Sequence, residues 1–303
     1  MKKIFHVTLL GFGLVCSALL RAQEKSAFTR TEDVIYGRKF GTALTLDVFE
    51  PAKKNGAAVI YVVSGGYVSD HVSISPKLYQ PLLDHGYTVF AVVHGAQPRF
   101  IVPEIIEDIH RAVRFVRHNA RRWGVDPNKF GISGSSAGGH LSLVMATRGG
   151  PGKPDAKDPV DRESSAVQAV ACFYPPTDFE NFSQPGELIW EHVSQPTPHT
   201  PASSFGLRSA TREDRLAIAK GLSVINDVTA KLPPTLVFHG DADRKVPLYQ
   251  SLMFERKCKE VGATFKLIVK PGADHGGAFG DHIKEMGVCA DWFDAYLLGL
   301  TAR

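Results

Sequence analysis

The sequence contains no block of like charges, no internal repeat, no heptad pattern and no linker rich in glycine and serine. The lack of repeats and heptads excludes solenoid and coiled-coil folds. The lack of a charged block excludes a charged tail and, with a formal net charge of only +4, argues against a nucleic-acid partner. Three basic residues precede residue 23, and the rest of the chain carries 32 basic and 31 acidic residues, a net charge of +1.

Cysteine is also scarce, with four in 303 residues. One of them, Cys16, lies in an N-terminal segment that is expected to be removed, which leaves Cys172, Cys258 and Cys289. An odd number allows at most one disulfide and leaves at least one free thiol. Cys172 lies in an apolar run and is predicted to be a core residue, whereas pairing of Cys258 with Cys289 stays open.

Residues 1–22 have the pattern of a secretory signal peptide. Two lysines open the segment, residues 7–20 are apolar but too few to span a bilayer comfortably, and small residues near the end offer a cleavage site. A lipoprotein signal ending at Cys16 is an alternative that the large Val15 disfavours, and an uncleaved anchor is a further one. The pattern predicts a secreted or periplasmic protein without stable membrane insertion, in which residues 23–303 form one domain.

Apolar runs of strand length alternate with helical patterns over the rest of the chain. This alternation is typical of a mostly parallel sheet covered by helices on both faces. A leading hairpin and six further strands are predicted, at residues 34–36, 44–49, 57–63, 87–93, the run that precedes Ser136, 166–174, 235–239 and 264–269. Helices are predicted at residues 78–85, 103–122, 137–147, 248–261 and 281–298. Arg111, Arg114 and Arg117 on the second helix are interpreted as a solvated face.

Residues 179–222 interrupt this alternation, directly after the strand that ends near Tyr174. Four prolines in the segment prevent a long helix, and Phe182, Trp190 and Phe205 are scattered among polar residues. An insertion of this length in a compact domain often serves as a lid or as one wall of a binding site. The segment, and Trp190 in particular, is therefore predicted to contact the substrate.

The stretch Gly134-Ser135-Ser136-Ala137-Gly138 stands between a predicted strand and a predicted helix, which is the setting of a nucleophile elbow. A serine on such a sharp turn exposes its hydroxyl, and the residues two places on either side must lack a Cβ. The helix that follows points its first N–H groups to the position where negative charge develops. The pattern predicts Ser136 as a nucleophile and the Ala137 N–H as a donor to the oxyanion.

A serine hydroxyl needs a base and a third group that orients the base, and in an open α/β sheet both come from loops at the carboxyl ends of strands. Two later loops qualify: residues 240–247, which contain Asp241 and Asp243, and residues 271–277, which contain His275. The acid precedes the histidine, as expected after such an elbow. Metal-ligand types also occur from His239 to Asp243, but no second cluster accompanies them, and neither a metal nor a cofactor is expected.

Four motifs extend the pattern: Trp123-Gly-Val-Asp-Pro127, Gly134-Ser-Ser-Ala-Gly-Gly-His-Leu141, His239-Gly-Asp-Ala-Asp-Arg-Lys-Val-Pro247 and Pro271-Gly-Ala-Asp-His275. With them the chain resembles α/β-hydrolases of the carboxylesterase type, near the hormone-sensitive-lipase-like esterases and the bacterial feruloyl- and acetylxylan-esterase-like (BD-FAE-like) proteins. The resemblance covers most of residues 33–300. It implies the α/β-hydrolase fold, with Asp243 rather than Asp241 as the catalytic acid.

The resemblance also places the family's oxyanion motif, His-Gly-Gly-Gly-Trp, on Val63-Ser64-Gly65-Gly66-Tyr67. The glycines that supply N–H groups in the family are kept as Gly65 and Gly66, and Tyr67 beside them is a candidate substrate contact. The histidine and the first glycine are replaced, and the family's Tyr-Arg-Leu-Ala-Pro stretch is changed to His94-Gly-Ala-Gln-Pro98. Both departures touch the acyl-binding side, so the resemblance carries over the reaction type rather than the substrate.

These residues predict an exported serine esterase in which His275 activates Ser136 and Asp243 orients His275. Export and resemblance together favour acetyl or feruloyl esters on polysaccharide as substrates. One alternative is a serine exopeptidase of the same fold, since the loop at residues 240–247 is shared with such peptidases. Another is a non-catalytic α/β-hydrolase that binds a glycan or a partner, against which a complete Ser/His/Asp set weighs. The oligomeric state is left undetermined.

Overall fold

An eight-stranded sheet runs through the part of the chain that the structure, a computed structural model, describes: residues 28–192 and 211–300. Its strands are β1 (Phe28–Lys39), β2 (Thr42–Pro51), β3 (Ala58–Val63), β4 (Thr88–Val93), β5 (Phe130–Ser135), β6 (Ala169–Phe173), β7 (Thr235–Gly240) and β8 (Phe265–Lys270). They lie in the order β1-β2-β4-β3-β5-β6-β7-β8. The predicted signal peptide at residues 1–22 and residues 193–210 of the predicted insertion lie outside the described residues.

The pairing of the strands is mostly parallel. β1 and β2 form the predicted hairpin and β2 pairs antiparallel with β4, while every later neighbour in the sheet is parallel. Parallel neighbours need long crossover connections, which explains why helices separate these strands along the chain. The mostly parallel sheet predicted from the alternating pattern is confirmed.

Helices cover both faces of this sheet. They are α1 (Pro76–Asp84), α2 (Val102–His118), α3 (Ala137–Arg148), α4 (Arg212–Leu222), α5 (Tyr249–Val261) and α6 (His282–Phe293). Residues of α2, α3, α4 and α5 pack into the core on one face, and residues of α1 and α6 pack into the core on the other. In β3, alternate residues enter alternate cores, as the two-residue period of a strand requires. Of the helices that the structure describes, none is long and apolar enough to cross a membrane.

The arginines of α2 do not form the solvated face that was predicted. The Arg111 guanidinium pairs with Asp158 at 2.6 Å and with Asp161 at 2.8 Å, and Arg117 donates to the carbonyl oxygen of Ala166 at 2.6 Å. They hold the loop that follows α3 against α2. Helical spacing identifies the polar side of α2, but another segment of the chain, rather than water, covers that side.

The cysteines in the described residues are all free and buried. Cys258 belongs to the core on the α2 side of the sheet, which α5 also covers. Cys289 belongs to the core on the opposite side, which α1 and α6 cover. A disulfide requires Cα atoms within about 7 Å, and the intervening sheet prevents such an approach, so Cys258 and Cys289 do not pair. Cys172 is a core residue, as predicted, and burial raises the pKa of its thiol well above the usual value.

The carboxyl ends of the parallel strands β3, β5, β6, β7 and β8 lie at one edge of the sheet. The loops that leave these ends therefore converge, because neighbouring strands are only about 4.8 Å apart. In open α/β sheets this edge is where ligands bind. Each segment that carries a predicted catalytic group begins here.

Candidate active site

Ser136 follows β5 directly and stands in the turn that leads into α3. Its backbone has φ 55° and ψ −118°, a conformation that costs a non-glycine residue energy and persists only when its surroundings hold it. The Ser136 N–H donates to the carbonyl oxygen of Phe173 at 2.9 Å, and its own carbonyl oxygen accepts from the N–H of His140 at 2.9 Å. These two bonds hold the turn in the strained geometry expected of a nucleophile elbow.

The two glycines of the elbow are required by close backbone approach. A Cβ on Gly134 would lie 2.5 Å from the carbonyl oxygen of Gly138, and a Cβ on Gly138 would lie 2.6 Å from the carbonyl oxygen of Val62. Only residues without a Cβ fit at such distances. The G-x-S-x-G spacing therefore reflects the packing of the turn against its own helix and against β3.

Ser136, His275 and Asp243 form one chain of hydrogen bonds across three loops. The Nδ1–H of His275 donates to Asp243 Oδ2 at 2.7 Å. With the proton on Nδ1, the lone pair of the ring is on Nε2, which lies 2.9 Å from the Oγ of Ser136. The serine hydroxyl therefore donates to His275, which is the arrangement that lets a histidine remove the proton of a nucleophile.

Both carboxylate oxygens of Asp243 accept hydrogen bonds. Its other oxygen, Oδ1, accepts from the N–H groups of Lys245 and Val246 at 2.9 Å each. Burial favours the protonated acid, but hydrogen bonds from His239, His275 and the N–H of Val246 outweigh that cost and hold the pKa of Asp243 well below its usual range. Asp243 is therefore a carboxylate at neutral pH, in a fixed orientation.

Asp241 lies in the same loop and has a different partner. Its Oδ1 accepts from the N–H of Gly272 at 2.6 Å, and so joins the loop after β7 to the loop after β8. The side chain is exposed, whereas Asp243 is buried. The structure brings Asp243, rather than Asp241, to the imidazole of His275.

The turn after β3 contains two predicted oxyanion donors, Gly65 and Gly66, and their N–H groups differ in hydrogen bonding. Gly65 exchanges two backbone hydrogen bonds with Val68, at 3.0 and 2.9 Å, so its N–H is already used in closing the turn. The prediction for Gly65 is therefore wrong. Gly66, at φ 56°, makes no N–H hydrogen bond to another described residue. Ala137 is the first residue of α3, so its N–H has no carbonyl one turn earlier to bond.

Gly66→Ala is expected to lower kcat about 100-fold with a smaller change in KM. A methyl group on this wall of the site keeps the substrate oxygen from the N–H, and an oxyanion donor acts mainly in the transition state. Alanine at this φ also costs about 1 kcal/mol of stability. The measurement is kcat per titrated active site, recorded beside a melting curve.

Gly65→Ala is the matched control for that experiment. Its φ lies outside the left-handed region, and a Cβ there meets no atom within 4 Å. It should therefore keep both its stability and its titrated kcat. An unchanged titrated kcat in Gly66→Ala would exclude Gly66 as an oxyanion donor.

A cleft of about 370 Å³ opens beside the hydroxyl of Ser136. The turn after β3, the elbow, the loop after β6 and the two loops that carry Asp243 and His275 form its walls. The residues that line it are Ser64, Gly65, Gly66, Tyr67, Ser135, Ser136, Ala137, Tyr174, Pro176, Ile189, Lys245, Val246, His275 and Gly276. Both donors that remain for an oxyanion, Gly66 and Ala137, belong to this lining.

Tyr67 lines the cleft, but its hydroxyl is already bonded. It donates to Nδ1 of His140 at 3.0 Å, and Nε2–H of His140 donates to the carbonyl oxygen of Leu222 at 2.9 Å. Burial raises the pKa of the Tyr67 phenol and lowers the pKa of His140 to about 4, so both groups are neutral at neutral pH. The chain of bonds ties the turn after β3 to α3 and to the end of α4, and leaves only the ring of Tyr67 for a substrate.

Trp190 is not part of the cleft lining. Trp190 and its neighbour Ile189 both pack, partly buried, against the core on the α2 side, but of the two only Ile189 also lines the cleft. The two residues lie in one short 3₁₀ turn, Ile189–Glu191, so their side chains leave in different directions. Phe182, also predicted to belong to a wall, is fully buried.

Ile189→Ala is expected to raise kcat/KM for longer acyl esters relative to acetyl esters, because it widens the cleft beside Ser136. A ratio change of about five- to tenfold corresponds to about 1 kcal/mol of differential binding. Trp190→Ala, the control, should lower the melting temperature and leave the ratio unchanged. If Trp190→Ala changes the ratio and Ile189→Ala does not, Trp190 rather than Ile189 contacts the acyl group.

Tyr174, which no sequence motif marks, packs against the imidazole of His275. Its ring centroid lies 4.5 Å from that of His275, and its Oη is bonded to Nε2 of His282 at 2.8 Å. Its backbone has φ 37°, an unusual value for an aromatic residue. The signal that was available is its position, directly after β6 at the carboxyl edge of the sheet.

A family model described as BD-FAE matches residues 46–258 of the chain. Esterase LipQ of Mycobacterium tuberculosis is 28% identical over 252 residues, which are 81% of this chain and 57% of LipQ. An acetylxylan esterase of Xylanibacter ruminicola is 28% identical over 246 residues, which are 78% of this chain and 44% of that protein. The chain thus spans only about half the length of these two relatives.

Solved structures give a fuller match. A truncated form of a carbohydrate esterase from gut microbiota superposes with a TM-score of 0.74 at 27% identity, over 90% of this chain and 98% of that one. The shared architecture therefore covers nearly the whole of a solved esterase structure.

Proposed function

This chain belongs to the BD-FAE family, and we propose that it is a serine esterase with Ser136 as nucleophile, His275 as general base and acid, and Asp243 as the group that orients His275. The family resemblance and the α/β-hydrolase fold expected from the sequence motifs are confirmed. The observation that carries the proposal is the continuous set of hydrogen bonds from Asp243 through His275 to the hydroxyl of Ser136.

The geometry supports acyl transfer in two steps. Oγ of Ser136 attacks the ester carbonyl carbon while its proton passes to Nε2 of His275, and the resulting oxyanion accepts from the N–H groups of Gly66 and Ala137. His275 then gives the proton to the leaving alcohol, which departs and leaves an acyl-serine. Water attacks that ester with His275 again taking the proton, and the carboxylic acid is released as Ser136 regains its hydrogen.

Asp243 supports each of these steps electrostatically. Its carboxylate keeps the proton of the neutral imidazole on Nδ1, and it stabilises the imidazolium that forms when Nε2 is protonated. The chemistry uses side chains and backbone N–H groups of this chain, and the proposal includes no cofactor and no metal.

The proposed substrates are acetyl or feruloyl esters on polysaccharide. Two proteins similar to this chain are named an acetylxylan esterase and a carbohydrate esterase. A cleft of about 370 Å³ is at the small end of the usual range for ligand sites, and of these two acyl groups it favours the smaller acetyl group. Export is part of the proposal and rests on the signal-peptide pattern of residues 1–22.

The test is a substrate screen with purified protein. It compares p-nitrophenyl acyl esters of increasing chain length, methyl ferulate, acetylated xylan and aminoacyl-anilides. The expected result is hydrolysis of short acyl esters and of at least one polysaccharide ester, and little activity on the anilides. Preferred cleavage of the anilides would replace the esterase by an exopeptidase, and no turnover of any substrate would favour a non-catalytic binding protein.

A further inference from the structure

A second cleft, of about 450 Å³, shares the loop after β3 with the active site. Ser64 to Tyr67 line the active-site cleft, while Ser69 to His71 of the same loop line the second one. The start of β2 and the segment from Val93 to Phe100 after β4 complete its walls. We call it the β4 cleft, and it does not contain any residue of the Ser136 site.

His94, which lines the β4 cleft, carries an acceptor without a partner. Its Nδ1–H donates to the carbonyl oxygen of Gly95 at 2.8 Å, so the ring lone pair is on Nε2. That Nε2 is buried and has no hydrogen-bond partner among the residues described, in a side chain that is only 3% exposed. Burial also lowers the pKa of His94 to about 4, so Nε2 stays an acceptor at neutral pH. An acceptor of this kind is satisfied by an ordered water or by a ligand hydroxyl that enters from the cleft that His94 lines.

A second polar group in the wall of the β4 cleft also lacks a hydrogen-bond partner in the described chain, and an exposed aromatic side chain lies at its rim. The hydroxyl of Thr42 is likewise buried without a partner within the described chain, and Thr42 also lines the cleft. At the rim, Phe40 is 76% exposed, has φ 46°, and stacks on Phe100 of the cleft with ring centroids 6.4 Å apart. It is costly to expose a large aromatic side chain to water and also to hold its backbone in the left-handed region. Residues under such strain are often functional.

The distance between the two clefts follows from the sheet. β4 and β5 lie on either side of β3, so their carboxyl ends are about 10 Å apart, roughly the length of two pyranose rings. His94 follows β4 directly, and Ser136 follows β5 directly. A chain of sugars that carries an ester at Ser136 therefore reaches the β4 cleft within one or two residues.

We propose that the β4 cleft is a sugar subsite, which binds the oligosaccharide part of the ester substrate. A sugar hydroxyl donates to Nε2 of His94, and the apolar face of a ring packs on the exposed ring of Phe40, which Phe100 supports from behind. Neutral sugar is favoured because the unsatisfied groups are a neutral acceptor and a hydroxyl, which match hydroxyl groups rather than ions. The inference rests on the proposed esterase function. It assigns the segment from His94 to Pro98 to the alcohol side of the substrate, where the family resemblance implied the acyl side.

The test compares kcat/KM on acetylated tetrasaccharides of xylose, glucose and mannose with kcat/KM on the corresponding acetylated monosaccharides. For at least one sugar, the tetrasaccharide ester should be the better substrate of the unmodified protein. His94→Asn keeps an N–H for the carbonyl of Gly95 and is too short to place an acceptor at the position of Nε2, so the preference should fall about three- to tenfold, as for loss of one neutral hydrogen bond. His94→Gln, which returns an acceptor near the position of Nε2, should restore part of it.

Phe40→Ala keeps the inference testable if the buried His94 does not tolerate substitution. Phe40 is exposed, so its removal should leave the melting temperature unchanged and lower the same preference. Hydrolysis of p-nitrophenyl acetate by the unmodified protein tests the esterase function separately. Activity on that ester combined with no preference for any tetrasaccharide, or with a preference that neither His94→Asn nor Phe40→Ala reduces, would overturn the sugar subsite and leave the esterase standing.

Discussion

Ser136→Ala is expected to lower kcat for ester hydrolysis by about 10⁵–10⁶-fold while the protein remains folded. The substitution removes the only atom of the hydrogen-bonded set that can form the acyl-enzyme, and no other hydroxyl is bonded to Nε2 of His275 in the described chain. The small residual rate comes from the oxyanion donors and from binding alone. kcat measured on p-nitrophenyl acetate, with a melting curve to show folding, checks this expectation.

Ser135→Ala is the control for Ser136→Ala. Ser135 stands one residue earlier, and its Oγ lies 3.4 Å from the hydroxyl of Tyr61 rather than beside the imidazole. This variant should keep most of the activity. If Ser135→Ala is inactive while Ser136→Ala retains more than a few per cent of the rate, the nucleophile has been assigned to the wrong serine.

Asp243→Asn is expected to lower kcat by about 10³–10⁴-fold. An amide at this position favours the imidazole tautomer with the proton on Nε2, which cannot accept from Ser136, and it no longer stabilises the imidazolium. The N–H groups of Lys245 and Val246 still have an acceptor in the Asn side chain, so the loop should keep its shape. The rate is measured over a range of pH, and circular dichroism verifies the fold.

Asp241→Asn provides the comparison within the same loop. Its side-chain oxygen can still accept from the N–H of Gly272, and it has no bond to His275 among the described contacts. The rate should therefore stay close to that of the unmodified protein. Equal losses in Asp241→Asn and Asp243→Asn would show that the loop, rather than one carboxylate, controls the rate.

The features that were predictable from sequence depend on short stretches of chain. A strand buried on both faces is a continuous apolar run, and an amphipathic helix repeats at 3.6 residues, so both appear within a window of about ten residues. The nucleophile elbow is equally local. The contacts of Gly134 and Gly138 that exclude a Cβ arise within one strand–turn–helix unit and its neighbouring strand.

The choice between neighbours of similar chemistry was not predictable in the same way. Gly65 and Gly66 are adjacent glycines in one turn, and only the cross-turn bonds of Gly65 to Val68 show that the N–H of Gly65 is occupied. Ile189 and Trp190 are adjacent apolar residues, and only the packing of their turn decides which one faces the cleft. The selection of Asp243 over Asp241 came from family resemblance, and the geometry agrees with it.

By itself the sequence determined the alternating α/β pattern, the strained serine turn and the position of the acid and histidine loops at strand ends, because hydrophobic period and local sterics act between near neighbours in the chain. The tertiary structure alone decided which distant groups meet. Arg111 reaches Asp158, Tyr67 bonds to His140, and Cys258 and Cys289 lie on opposite faces of the sheet. Such contacts join segments far apart in sequence, and their partners are set by the packing of whole elements, which no short stretch of residues contains.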